Sequence, residues 1–100
     1  MATIKASVPH NLGPDEARRR ISHLISDARS RFGNVVSDVE ETWNENHGMF
    51  RFSAMGLPIV GTLDVEPAAV LLEIHLPLAA LPFKRKIEDE IANRARALLA

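Results

Sequence analysis

No cysteine occurs among the 100 residues, which excludes disulfides, thiolate catalysis and cysteine-based zinc sites together. Tyrosine is absent too, and only 4 Phe and 1 Trp are present. Most of those rings are needed for a core, so a stacking platform for single-stranded nucleic acid is poorly supplied. A charge excess of either sign is lacking: the formal net charge is -1, which argues against a general polyanion binder and leaves only local patches. Long hydrophobic runs are missing as well. The start, MATIKASVPHNLG, has a lysine but no apolar core of a signal peptide. The longest apolar tract, PAAVLLEIHLPLAALPF, is cut by Glu73, His75 and prolines 67, 77 and 82, so no segment reaches the roughly 20 residues that cross a bilayer. The expectation is one cytoplasmic domain over residues 1–100, with no transmembrane segment and no nucleic-acid partner.

What is present is ordinary globular composition, 46% hydrophobic and 25% charged, with hydrophobic periods that change along the chain. ATIKASV alternates, with Ile4, Ala6 and Val8 on one side, and predicts a half-buried strand. PHNLGPDEARRRISHLISDARSRFG predicts one helix, opened by Pro14 with Asp15 and Glu16 in its first turn and stopped by Gly33. Its apolar stripe is Ala17, Ile21, Leu24, Ile25, Ala28 and Phe32.

From residue 35 to 76 the period is two. Val35, Val39 and Trp43 share a face and suggest a strand that closes through NENHG. Two-residue turns at Met55-Gly56 and Glu66-Pro67 pair Phe52 with Ile59 and Phe50 with Gly61, then Ile59 with Ile74, Gly61 with Leu72 and Leu63 with Val70. Phe50 over Gly61 covers the missing side chain. Pro82 opens a last helix with Phe83, Ile87, Ile91, Ala95 and Leu98 inward and Ala92 outward. The result is an α+β fold, β-α-β-β-β-β-α, with an antiparallel curved sheet of order 2-3-4-5-1 and both helices on one face.

Candidate chemistry is sparse. The four histidines, His10, His23, His47 and His75, show no metal-ligand spacing, so no metal or cofactor is expected. Glu73 and His75 share a strand face and are the residues for acid/base chemistry if a pocket encloses them. Lys84, Arg85 and Lys86 crowd the start of the last helix, against its macrodipole, beside Leu81 and Phe83. They form the candidate partner-binding surface. Each cation has an acid four residues later (Glu88, Asp89, Glu90), giving three expected intrahelical pairs. Met49, Val60 and Leu71 expose apolar groups on the outer sheet face and predict a homodimer contact. The expectation for the opening of the last helix is a buried Phe83 with Lys84 to Lys86 in solvent.

Read in order, PHNLG after a strand, a helix ending RFG, the isolated Trp43, the GTLDV strand and the closing LPFKRKIEDEI resemble the polyhydroxyalkanoic acid system protein family of bacteria, over nearly the whole chain. His10, Leu12, Gly13, Trp43, Gly61, Phe83, Lys84 and Ile87 match its recurrent pattern. NENHG departs from it, since a tighter Gly-Asp turn is usual there. The resemblance implies association with storage-polyester granules and carries over no catalytic residue. The strand order also resembles a reduced helix-grip fold, whose larger members hold apolar ligands between sheet and helix; here Trp43, Phe50, Phe52, Ile59, Leu63, Leu72 and Ile74 are expected to fill that space. Three functions follow as expectations: a non-catalytic accessory protein binding a granule protein or polymer surface, a carrier of a small hydroxyacyl-type ligand, and an acid/base enzyme using Glu73 and His75.

Overall fold

The computed structural model describes residues 2–31 and 33–100; Phe32, expected on the first helical stripe, lies outside the described residues. Strand β1 (Ala2–Pro9) is followed by helices α1 (Pro14–Ile21) and α2 (Leu24–Arg31), strands β2 (Val36–Asn44), β3 (His47–Ala54), β4 (Leu57–Val65) and β5 (Ala69–Leu76), a 3-10 turn (Leu78–Phe83) and helix α3 (Lys84–Leu99). The strands form one antiparallel sheet in the order β1-β5-β4-β3-β2, the order expected from the alternation patterns.

Alternation decides the two faces of the sheet. Ile4 and Val8 of β1, Phe50 and Phe52 of β3, Ile59, Leu63 and Val65 of β4, and Val70, Leu72, Ile74 and Leu76 of β5 are buried on one side. The helices lie over that side, giving Ala17, Ile21, Leu24, Ile25, Ala95 and Leu99 to the same cluster. The β3–β4 hairpin has the expected register, with Phe52 opposite Ile59 and Phe50 opposite Gly61. Met55 and Gly56 both have positive φ, 54° and 79°, the type I′ conformation whose twist matches a right-handed hairpin.

The β4–β5 register differs from the expected one by two residues. Gly61 faces Ile74, Leu63 faces Leu72 and Val65 faces Val70, because the connection is longer than the two residues assumed. The Glu66 amide donates to the Ala69 carbonyl at 2.8 Å and closes this longer loop. A shift of two preserves every side chain's face, whereas a shift of one would have turned the strand inside out.

Strand β2 corrects a second expectation. Its pairing with β3 shifts between Ser37 and Glu40, where Asp38 takes φ 55°. The extra residue of this bulge changes the parity, so Val36, not Val35, joins Val39 and Trp43 against the core, and Val35 is exposed.

The first helix is also not continuous. His23 donates to the Arg20 carbonyl in a tightened turn, and Asp27 donates to the His23 carbonyl to begin α2. Ser22 Oγ donates to the Arg19 carbonyl at 2.7 Å, a local bond that competes with helix propagation. The break lets α1 pack on α3 while α2 packs on β2. The inward stripe through Ile21, Leu24 and Ile25 survives it. In α3 the stripe is rotated from the expected one: Ala92, Ala95 and Leu99 are buried, while Ile87, Ile91 and Leu98 are half-buried flanks. Two alanines on the contact line let the helix approach the sheet more closely than a row of isoleucines would.

Gly61 is the tightest position of the sheet. A Cβ there would collide with the Phe50 ring and lie 2.8 Å from the Glu73 carbonyl oxygen. Gly61→Ala is therefore expected to cost about 1–3 kcal/mol, read as a lower urea midpoint with an unchanged denaturant slope.

Candidate functional site

The outer sheet face carries most of the candidate polar chemistry. Thr3 lies opposite His75 and Lys5 opposite Glu73. Thr3 Oγ1 is 3.3 Å from His75 Nδ1, and His75 Nε2 is 3.6 Å from Glu73 Oε1. Hydroxyl, imidazole and carboxylate thus run in a line, but the last separation exceeds a hydrogen bond, and both His75 and Glu73 remain partly open to water. Among the described residues the line lies open on the outer sheet face, unlike the water-excluded sites that acid/base catalysis uses. The register change also moves Arg51 into the row of Val60 and His75, away from Glu73. Arg51 instead pairs with Glu40 across the β2–β3 ladder. His47 Nδ1 meets Asp64 Oδ1 at 2.5 Å, a cross-strand pair that follows directly from the Met55-Gly56 turn but carries no motif of its own. Among the described residues, no group of three His, Cys, Asp or Glu is placed to hold a metal ion.

Met49, Val60 and Leu71 are all exposed on this outer face. Met49 faces Thr62, and Val60 faces Arg51, so these two are diagonal neighbours. Leu71 faces Asp64, one pair further along than the row expected to hold Met49, Thr62 and Leu71 together. The three side chains are therefore not one contiguous patch.

Between α2, α3 and β3 an apolar groove of about 50 Å³ is lined by Leu24, Ile25, Ala28, Phe52 and Ile91, with Arg31, Glu90 and Arg94 at its edge. Pockets that enclose small ligands usually hold about 300–1,000 Å³. Phe50, Phe52, Ile59, Leu63, Leu72 and Ile74 are all buried and occupy the space in which a helix-grip protein would carry a ligand.

The 3-10 turn and the start of α3 form a different kind of surface. Ala80 is buried and ties the turn to the core, and its amide donates to the Pro77 carbonyl at 2.9 Å. Leu78, Leu81 and Phe83 are 66%, 44% and 43% exposed. With three residues per turn, Leu78 and Leu81 eclipse on one side. The expectation of a buried Phe83 is overturned. Pro82 lies within the 3-10 turn and α3 begins only at Lys84, so Phe83 is the residue before the helix and is not on its inward stripe. Lys84 is half-buried, while Arg85 and Lys86 are exposed. They occupy the first turn of α3, which has no acidic residue and no side-chain cap, so the macrodipole opposes all three. Among the described residues, none of the expected pairs with Glu88, Asp89 and Glu90 closes to within 4 Å.

Two internal fasteners were not visible in the sequence as such. His10 is buried: its Nδ1 accepts from the Leu12 amide at 3.2 Å, so Nε2 carries the proton and donates to the Glu66 carbonyl at 2.9 Å. The PHNLG segment is thereby stitched to the β4–β5 loop, and the His10 amide adds a bond to the Ala68 carbonyl. Gly13, with φ 78°, turns the chain into α1, a conformation that L side chains rarely adopt. Trp43 lies against Gly48 on one side, where an added Cβ would be 2.9 Å from the indole. The Arg18 guanidinium sits 5.4 Å from the same ring, and the indole N–H donates to Glu41. Short local patterns do not encode the contacts of His10 with Glu66 and Ala68 or of Trp43 with Arg18, whose partners are far apart in the chain.

Topology and site together define a small α+β protein of reduced helix-grip type, with a small apolar groove between its helices and sheet and an exposed apolar turn edged by cations. Over residues 4–99 the chain matches the model of the family described as "Putative polyhydroxyalkanoic acid system protein", and it belongs to that family. No curated protein matches it in sequence. Among solved structures, it is similar to Ara h 8.0201, with 7% identity, a TM-score of 0.48, and 98% of this chain and 97% of that chain covered. It is also similar to the quaternary ammonium Rieske monooxygenase CntA in complex with substrate L-carnitine, with 12% identity and a TM-score of 0.41, covering 99% of this chain and 37% of that chain.

A strongly shifted carboxyl belongs to the fastening of α1. Glu16 is held at about 2, below its ordinary value of 4.5, by hydrogen bonds from Arg19 and then Arg20. Arg20 also donates to the Ala100 carbonyl at 2.7 Å, which links α1 to the end of α3. A depressed carboxyl contributes stability that is present above its unfolded pKa and is lost as pH falls through the folded value. Glu16→Gln is therefore expected to flatten the stability loss between about pH 4.5 and 2, measured by thermal unfolding across that window.

Proposed function

We propose that this chain is a non-catalytic accessory protein of polyhydroxyalkanoate storage granules. It acts by binding the granule, through the surface that contains Phe83, Lys84, Arg85 and Lys86. The observation that carries this reading is the exposed apolar turn next to three cations, in a chain whose family is described by the polyhydroxyalkanoic acid system. A chain that keeps leucines and a phenylalanine in water needs a reason to do so, and an interaction surface is the usual one. On this reading the chain is cytoplasmic and granule-associated.

The carrier reading for a hydroxyacyl ligand has less support, because the interior groove holds about 50 Å³ and the inward aromatic and aliphatic side chains fill the rest. The acid/base reading has less support, because among the described residues Glu73 and His75 lie on an open sheet face, partly in water. A homodimer through the outer face rests on Met49 and Val60 as adjacent exposed apolar residues; a monomer mass in light scattering after size exclusion would remove it.

Purified protein mixed with isolated granules is expected to co-sediment at low salt and to be only partly released at high salt, since apolar contact is less screened than charge. Absence from the granule pellet at both salt levels would overturn the proposal.

A further inference from the structure

We infer that His10 makes the segment between β1 and α1 a pH-sensitive latch. With a neutral imidazole the segment is fastened to the β4–β5 loop, and protonation of the ring releases it.

The fastening admits one tautomer. His10 is buried, 5% exposed, whereas His23 and His47 are exposed and His75 is half-buried. A backbone N–H only donates and a carbonyl only accepts. The Leu12 amide therefore requires a lone pair on Nδ1, 3.2 Å away, and the Glu66 carbonyl requires the proton on Nε2, 2.9 Å away. A second proton, on Nδ1, sets two N–H groups against each other and places a positive charge where there is little water to solvate it. Among the described residues, no carboxylate oxygen lies within 4 Å of the imidazole to offset that charge.

The charged groups of the neighbouring segments are engaged elsewhere or face water. Glu66 offers the ring its carbonyl and is itself exposed, as is Asp15 at the start of α1. Glu16 is held by Arg19 and Arg20. Asp64 is paired with His47, and that pair acts in the opposite sense, since protonation of His47 strengthens it. Both of its side chains are 48% exposed, and an exposed ion pair contributes little. The buried ring sets the sign.

The backbone defines what is released. On one side the His10 amide donates to the Ala68 carbonyl at 3.0 Å, and on the other the Gly13 carbonyl accepts from Ala17 at the start of α1. Asn11 and Leu12 lie between these anchors. Leu12 packs half-buried against the core, so release exposes an apolar side chain beside the β4–β5 loop. The β1–β5 ladder from Ala2–Leu76 to Pro9–Ala69 does not pass through the ring and stays in place.

Closure takes a neutral ring, so it is fully favoured above the ordinary imidazole range and weakens as pH falls through it. An imidazole freed into water has a pKa of about 6.5, so the open fraction at pH 5 is roughly thirtyfold that at pH 7.5. This window lies above the one in which Glu16 titrates.

The test is amide hydrogen exchange read by NMR on the full chain at pH 7.5 and pH 5, with each rate corrected for its intrinsic pH dependence. Protection of the Leu12 amide is expected to fall roughly thirtyfold, while Leu63 and Ile74 in the central strands keep theirs. Imidazole nitrogen shifts at pH 7.5 should show His10 with its proton on Nε2. His10→Asn keeps a side-chain acceptor for the Leu12 amide and does not titrate in this window, so its Leu12 protection is expected to be independent of pH. His47→Gln is expected to leave the fall in place. Where His10→Asn does not fold, the wild-type profile decides. Equal Leu12 protection at the two pH values would overturn the latch, as would a doubly protonated His10 beside a protected Leu12 amide at pH 5. A fall shared by Leu63 and Ile74 would mean global unfolding, and an undiminished fall in His10→Asn would place the titrating group elsewhere; either result overturns the inference.

Discussion

An antiparallel sheet with one apolar face leaves Ile4, Phe50, Ile59, Leu63, Leu72 and Ile74 in water unless other elements lie on them. Burying six such side chains is worth on the order of 10 kcal/mol, comparable to the whole net stability of a domain this size. The remaining elements are arranged to cover that face. Helix α3 crosses it on Ala92, Ala95 and Leu99. The chain between β1 and β2 breaks into two short helices, so that one packs on α3 and the other on β2. The opposite face is left to cross-strand pairs such as Arg51 with Glu40 and His47 with Asp64.

The same constraint explains the character of the surface. A chain of 100 residues has few side chains to spare once the sheet is covered, and among the described residues its helix-covered side keeps a groove of about 50 Å³ between α2, α3 and β3. The turn before α3 carries exposed leucines and a phenylalanine, and the helix then begins with three cations at its positive end. Neither arrangement is explained by folding: the apolar groups forgo burial, and the cations oppose the macrodipole. Local rules broken without a structural gain are where a binding role is best sought.

How much of this was legible in the sequence depended on the range of the signal. Strand alternation was local, so the faces of β1, β3, β4 and β5 and the strand order could be read directly. The Met55-Gly56 turn set the β3–β4 register and placed Phe50 over Gly61. The β4–β5 register required the length of the loop at Glu66 to Ala69, which Pro67 alone does not define, and it came out two residues different. The bulge at Asp38 replaced Val35 by Val36 on the inner face, because one extra residue inverts a period of two. For the candidate site, the cations and the neighbouring Phe83 were legible as a cluster, but the exposure of Phe83 was not: a helical stripe was assumed to start at Pro82, where the backbone is still a 3-10 turn.

The sequence by itself determined the class of the fold, the order of the strands and the absence of cysteine chemistry, since periodicity and composition act within a few residues. It also supplied the ordered short motifs that marked the family. Tertiary structure decided the rotation of α3, the break at Ser22 and His23, and the clamp of His10 on Glu66. It likewise decided which hydrophobic side chains had no place in the core. Burial is settled by competition among all apolar groups for one limited interior, which Ala80 and Ala95 enter while Leu78, Leu81 and Phe83 stay exposed.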